Sequence, residues 1–168
     1  MTDYVASVRG VALGARLRRL SATIDADAAR VYAAQGIPFE QRWFGVINQL
    51  AVNGAMSVSG LADALGISHP SVSEARKSLE KAGLVLSAPD QADSRRRVLT
   101  LSPAGATFVG QLRPTWDVFD QVARQLDAEA GEVTQALARL EQALARRSLY
   151  ARIMDGIDQL PGETHAQP

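Results

Sequence analysis

The side chains best suited to chemistry in this chain are small, polar and basic, and they gather between residues 57 and 105. Ser68, His69, Ser71, Ser73, Glu74, Arg76 and Lys77 lie within one short segment, and Arg95, Arg96 and Arg97 follow as an unbroken basic run. Hydroxyls and lysine can reach base edges or phosphates of a nucleic acid. A cluster of arginines suits phosphates or a narrow minor groove. Two of these residues carry two readings each. Glu74 either accepts a hydrogen bond from a cytosine amino group or is a solvated helix residue, and Arg76 either reaches a phosphate or pairs with Glu80 at i,i+4. Other chemistries find no footing. The two histidines, His69 and His165, are far apart, and there is no cysteine, so no metal site and no thiol chemistry is expected. No nucleophile–base–orienter set and no phosphate-cradling glycine loop is present, so neither an enzyme nor a cofactor is expected.

Local signals say how these residues are held. Ser57 is an N-cap for a short helix ending near Leu65, with Gly66 as its C′ residue. Ile67 reads as a buried link. Ser68 or His69 then caps a second helix with Pro70 in its first turn, where the missing N–H costs nothing. That helix should bury Val72, Ala75, Leu79 and Ala82, turn Pro70, Ser73, Glu74 and Lys77 outward, and stop at Gly83. Leu84–Ser87 and Val98–Ser102 are β-prone runs, and the polar stretch from Pro89 to Arg97 is the tip of a hairpin between them.

Outside this centre the chain is helical. Leu13, Leu17, Leu20, Ile24, Ala28 and Val31 repeat at helical spacing and predict a helix over 8–34, closed by Gly36 and Pro38. A second helix is expected over Phe39–Asn53. Ser102-Pro103 opens another, with Phe108, Leu112, Trp116, Phe119, Val122 and Leu126 on one side and Pro114 as a point of bending. Val133, Leu137, Leu140 and Leu144 mark a last long helix to about Ile153. The long apolar stripes at both ends exceed what the small centre can cover, which predicts a homodimer with interleaved terminal helices. The expected architecture is mainly α with a small β-hairpin wing. Helical dimerisation arms span 8–35 and 103–155, a winged helix-turn-helix lobe spans 39–102, and a flexible tail spans 156–168.

Bulk numbers constrain the partner. Eighteen basic residues balance eighteen acidic ones, so attraction to a polyanion must be local. Residues 57–102 carry six basic side chains (Arg76, Lys77, Lys81, Arg95, Arg96, Arg97) against five acidic (Asp63, Glu74, Glu80, Asp90, Asp93), a balance near +1. Binding must then rest on placement and on pairing two copies. With Asp3 and Arg9 interrupting the N-terminus and no long apolar run, no secretory signal or membrane span is expected, and the location expected is cytoplasmic.

Four motifs together carry a family resemblance. They are Leu61-Ala62-x-x-Leu65-Gly66-Ile67-Ser68, Pro70-x-Val72-Ser73, Leu79-Glu80-x-x-Gly83-Leu84-Val85, and Asp90-x-x-Asp93-x-Arg95 running into Leu101-Ser102-Pro103-Ala104-Gly105. With this uninterrupted spacing the chain resembles the multiple antibiotic resistance regulator (MarR) family of winged-helix repressors over about residues 10–155. The resemblance implies a dimer on double-stranded DNA, with a recognition helix in each of two major grooves and wings on the flanking minor groove or phosphates. It also implies that Asp93 and Arg95 brace the wing, which leaves open which wing arginine enters the groove. A small aromatic or anionic effector, bound between the dimer helices and the lobe, would release the DNA. Tyr32, Arg42, Trp43 and Trp116 are candidates to line such a pocket, although aromatic residues at helical spacing equally form core. Two positions depart from the family pattern: Glu74 replaces a basic or neutral residue, and Ala75 is smaller than usual. His69-Pro70 and Arg42-Trp43-Phe44 resemble a branch sometimes fused to an acetyltransferase, and with the sequence closing at Pro168 no such domain is expected.

The leading expectation is a sequence-specific, dimeric DNA-binding repressor acting on a pseudo-palindromic operator. The alternative is a winged-helix protein-interaction module with weak or no DNA binding, which Glu74, the small Ala75 and the neutral net charge would favour.

Overall fold

The alternation of capping serines and left-handed glycines sets the element boundaries at the centre of the chain. A computed structural model describes residues 12–90 and 96–160. The first turn of the expected N-terminal helix, Asp93 and Arg95 of the wing, and the tail from residue 161 lie outside them. The elements run α1 (Leu13–Ala34), α2 (Trp43–Asn53), β1 (Met56–Ser57), α3 (Val58–Leu65), α4 (His69–Lys81), β2 (Val85–Pro89), β3 (Arg97–Leu101), α5 (Pro103–Glu129), α6 (Val133–Arg146) and α7 (Leu149–Asp158). This is a mainly helical chain with one three-stranded antiparallel sheet of order β1-β3-β2.

Ser57 caps α3 by accepting from the Gly60 N–H at 3.0 Å, and Ser68, rather than His69, caps α4 by accepting from the Ser71 N–H at 3.3 Å. At the end of α4, Gly83 adopts φ +72°. The Leu84 N–H then bonds the Leu79 carbonyl and the Gly83 N–H bonds that of Glu80, so two carbonyls that the helix leaves open are satisfied. Two expected core positions are exposed. Ile67 is 43 % exposed, and Ala82, the C-cap residue of α4, is exposed as well.

The first unit of the chain extends to Leu112. Its core joins Val46, Ile47 and Leu50 of α2 with Leu61 of α3, Val72 and Leu79 of α4, Leu99 of β3 and Leu112 of α5, each at most 2 % exposed. The second helix starts four residues later than its apolar pattern suggests. Phe39 is drawn out of it to pack on Tyr32 (ring centroids 4.3 Å), Phe108 (6.3 Å) and, edge-on, Trp43 (5.9 Å). Strand β1 was not expected; its two residues pair with β3 as Met56↔Leu99 and Ser57↔Val98. The hairpin partner β2 pairs from Val85↔Leu101 to Pro89↔Arg97, with Pro89 on the edge strand, where a missing N–H is tolerated.

The entry to α5 is built on one close approach. Ser102 Oγ donates to the Gly83 carbonyl at 2.6 Å and accepts from the Gly105 N–H at 2.9 Å, while the Ser102 N–H bonds the Leu84 carbonyl at 3.0 Å. A Cβ at Gly105 would lie 2.0 Å from that carbonyl oxygen. Only glycine fits there.

The second unit holds residues from Arg113 onward, and its boundary falls beside Pro114, inside α5. The last helix is not continuous. Arg147 is extended (φ −155°, ψ 120°), and Ser148 caps α7 through the Ala151 N–H at 3.2 Å. Arg152 bonds the carbonyls of Ala143 (2.9 Å) and Arg147 (3.0 Å), and Arg147 pairs with Asp155, so the break is satisfied on both sides. At the other end of α6, Asp127 accepts from the Thr134 N–H at 2.8 Å and from its hydroxyl at 2.7 Å. These bonds hold the Asp127 carboxyl below its ordinary pKa.

Candidate nucleic-acid interface

Helix α4 carries most of the candidate residues, and its orientation follows from what it buries. Val72, Ala75 and Leu79 face the core, so Glu74, Lys77 and Lys81 emerge on the opposite side and are exposed. The helix is also tethered from behind. Trp43, 5 % exposed at the start of α2, donates its indole N–H to Ser78 Oγ at 2.6 Å, and Ser78 donates onward to the Ala75 carbonyl at 3.0 Å.

Five of the expected residues meet in one place. An open cleft of about 280 Å³ is lined by His69, Ser73 and Arg76 of α4, by Arg96 and Arg97 at the foot of β3, and by Val58 and Ser59 at the start of α3. Pairing of β1 with β3 accounts for this: the antiparallel Ser57↔Val98 register brings the residues that follow Ser57 beside those that precede Val98. Ser59 was missed in the sequence because nothing in helical periodicity links it to a strand forty residues later.

The three guanidinium groups at the cleft are not equivalent. Arg76 is 18 % exposed and bonds both carboxylate oxygens of Glu80 at 3.0 Å, so of its two readings the ion pair is present. Arg96 and Arg97 are exposed and make no ion pair among the described residues. Their charge is available to an external anion. The main chain beneath them is firm: the Asp90 N–H donates to the Arg96 carbonyl at 2.9 Å and closes the hairpin.

The remaining candidates lie outside the cleft. Ser71 Oγ is 2.8 Å from Ser68 Oγ, and both belong to the cap of α4. Lys77 and Glu74 stand on the exposed ridge of the helix. Of the residues considered for an effector pocket, Tyr32 and Trp43 are buried in the aromatic cluster with Phe39 and Phe108, neither of which was singled out for it. Arg42 is on the surface, with its Nε 2.6 Å from Glu40 Oε2, and Trp116 is buried in the second unit. Among the described residues no group of three or more acidic or histidine side chains could hold a metal ion, and no helix is long and apolar enough to cross a membrane.

Known proteins share this architecture. Residues 35–96, which hold α2, β1, α3, α4 and β2, match the model of the MarR family. A putative transcriptional regulatory protein for the hcr operon of Thauera aromatica is 30 % identical over 99 residues, which span 58 % of this chain and 60 % of that relative. The chain thus aligns with less than two thirds of that protein's length. Among solved structures, the S. aureus MepR–DNA complex superposes with a TM-score of 0.66 at 20 % identity, covering 76 % of this chain and 94 % of MepR. A mutant MarR from E. coli in complex with operator DNA gives 0.65 at 17 % identity over 85 % and 99 % of the two chains. Bordetella bronchiseptica BpsR, whose DNA binding is regulated by 6-hydroxynicotinic acid, gives 0.56 at 23 % identity over 77 % and 98 %. At these identities the structures speak to the fold, and they agree with the sequence match: the chain has the winged-helix fold of these proteins, and its residues 35–96 resemble the MarR family.

Proposed function

We propose that the chain is a DNA-binding transcriptional regulator, acting in the cytoplasm as a homodimeric repressor on a pseudo-palindromic operator. The observation that carries this reading is the meeting of His69, Ser73, Arg96 and Arg97 at one cleft beside the exposed ridge of α4. In this arrangement α4 enters a major groove, and Arg96 and Arg97 take phosphates or the adjacent minor groove. The DNA complexes of MepR and of the MarR mutant are consistent with it.

The homodimer is supported by apolar surface on the terminal helices. Leu13, Leu17, Leu20 and Ile24 of α1 are exposed, as are Val133, Leu137 and Leu144 of α6 and Ile153 and Ile157 of α7. Surface of this kind marks an interface, and a second copy of the chain is the occupant proposed for it. On this reading 39–102 is the DNA-binding lobe, and the flanking helices are arms that pair two lobes. Release by a small aromatic or anionic effector completes the proposal. The precedent of BpsR, regulated by an aromatic acid, supports it.

Binding of the purified chain to the DNA upstream of its own gene, followed by fluorescence anisotropy, tests the central claim. Saturable binding that outcompetes unrelated DNA is expected. Absence of binding at low salt would instead favour the protein-interaction module. A reporter driven by the same upstream DNA should be silenced by the chain, and activation would refute the repressor assignment.

A further inference from the structure

The ridge of α4 carries a negative charge where a DNA-reading helix meets a polyanion. Glu74 is exposed, and its helical neighbours do not satisfy it. Pro70, one turn before, has no N–H. The Ser71 hydroxyl is engaged with Ser68 Oγ at 2.8 Å, and that of Ser78, one turn on, bonds Trp43 and the Ala75 carbonyl. Lys77 makes no ion pair with Glu74 within 4 Å, and among the described residues the acidic–basic pair on the helix is Arg76 with Glu80. The carboxylate stands open toward whatever the ridge approaches.

We propose that Glu74 is a specificity-determining residue that selects a cytosine in each half-site by accepting a hydrogen bond from its N4 amino group. This inference rests on the DNA-reading function proposed above. Phosphates repel a carboxylate, so in a DNA complex Glu74 needs a donor on a base edge. Guanine offers only acceptors in the major groove, and thymine an acceptor and a methyl group. Adenine offers an amino donor, but its N7 acceptor lies beside it and opposes the second carboxylate oxygen. Cytosine offers the N4 donor with a C–H neighbour, and so it alone presents a donor without an adjacent acceptor on the same base. Glu74 thereby discriminates at one base pair and also penalises non-specific binding.

Selection of duplexes from a random library by the full chain and by its Glu74→Gln and Glu74→Ala variants tests this. Because Glu74 is exposed, neither change disturbs the core. The unaltered chain should require a C·G pair at one position of each half-site. With Glu74→Ala that position should relax, affinity for the cognate site should fall relative to random DNA by roughly five- to a hundredfold, and the other positions should persist. With Glu74→Gln the same position should shift toward adenine, whose N6 and N7 an amide can bond together. If all three proteins select the same bases, or if Glu74→Ala merely tightens binding to every duplex equally, Glu74 is a repulsive charge without a reading role. In either case the DNA-binding function stands and the inference falls. If the unaltered chain selects no sequence at all, the proposed function fails and this inference with it.

Discussion

Trp43 Nε1 and Ser78 Oγ lie 2.6 Å apart, joining the first residue of α2 to the last turn but one of the helix that presents the candidate DNA contacts. Because Trp43 also packs edge-on against Phe39, this single hydrogen bond connects the aromatic cluster to α4. Ser78→Ala leaves the buried indole N–H unpaired and should lower stability by about 1–3 kcal/mol. Trp43→Phe removes the donor but leaves Ser78 bonded to Ala75, and its hydrogen-bond component should cost no more than about 0.5–1.5 kcal/mol. Urea unfolding of the two variants reads the difference. Equal stability of Ser78→Ala and the unaltered chain would show that the bond contributes nothing.

Gly105 and Gly110 lie in the same helix and should respond in opposite directions to alanine. The Cβ of Gly105→Ala meets the Leu84 carbonyl oxygen at 2.0 Å, a backbone atom held by Ser102, so α5 must move and stability should drop by roughly 1–3 kcal/mol. Nothing lies within 4 Å of a Cβ at Gly110, and Gly110→Ala should stabilise the helix by about 0.5–1 kcal/mol. Thermal unfolding checks both signs.

The legibility of this molecule in its sequence follows the range of the forces involved. Ser57, Gly66, Ser68 and Gly83 were readable because caps and left-handed glycines act within four residues, and the structure uses all four. Phe39 was not, since its apolar side chain fits a helical pattern and only distant rings pull it away. The break at Arg147 was hidden because the helical apolar pattern draws the eye past Ser148, a good N-cap residue, and the contacts of Arg152 and Asp155 that secure the break are not visible in that pattern. The basic residues of the candidate interface were visible as a list. Their meeting with Ser59 was not, because it depends on a strand of two residues.

Arg96→Ala and Arg97→Ala should each weaken DNA binding while leaving the fold intact, both being exposed and without an ion pair among the described residues. Each phosphate left without its arginine lowers the slope of log affinity against log salt by about 1. Anisotropy titrations across a salt series measure it. By contrast Arg76→Ala strands Glu80 without its partner, and should reduce stability as well as binding.

Leu17→Asp on α1 and Leu140→Asp on α6 place charge in the proposed dimer interface and should yield monomers. Sedimentation velocity tests this, and a variant that remains dimeric would remove its helix from the interface. DNA affinity should fall as dimerisation is lost, because two weakly charged lobes bind well only when joined.

The lowered pKa of Asp127 gives the start of α6 a pH dependence with a defined sign. A carboxyl held below its unfolded value contributes stability above that value, near about 3.9. The contribution fades only as the pH falls through the lower folded pKa, where protonation releases the Thr134 N–H and hydroxyl. Acid titration followed by the helical circular dichroism signal should therefore show this helix end persisting through mildly acidic pH. Asp127→Asn should flatten that last acidic step without altering the neutral baseline's pH independence.

The bond from the Asp90 N–H to the Arg96 carbonyl closes a ladder that is already pinned beneath it, from Pro89↔Arg97 down to Val85↔Leu101, with Leu99 wholly buried at its centre. A slip of one residue would turn Leu99 out of the core, so the register is held by the interior rather than by the tip. The lobe therefore dictates where the wing begins, whatever sequence follows Asp90. A change in the length or charge of the stretch that follows should therefore leave α4 where it is.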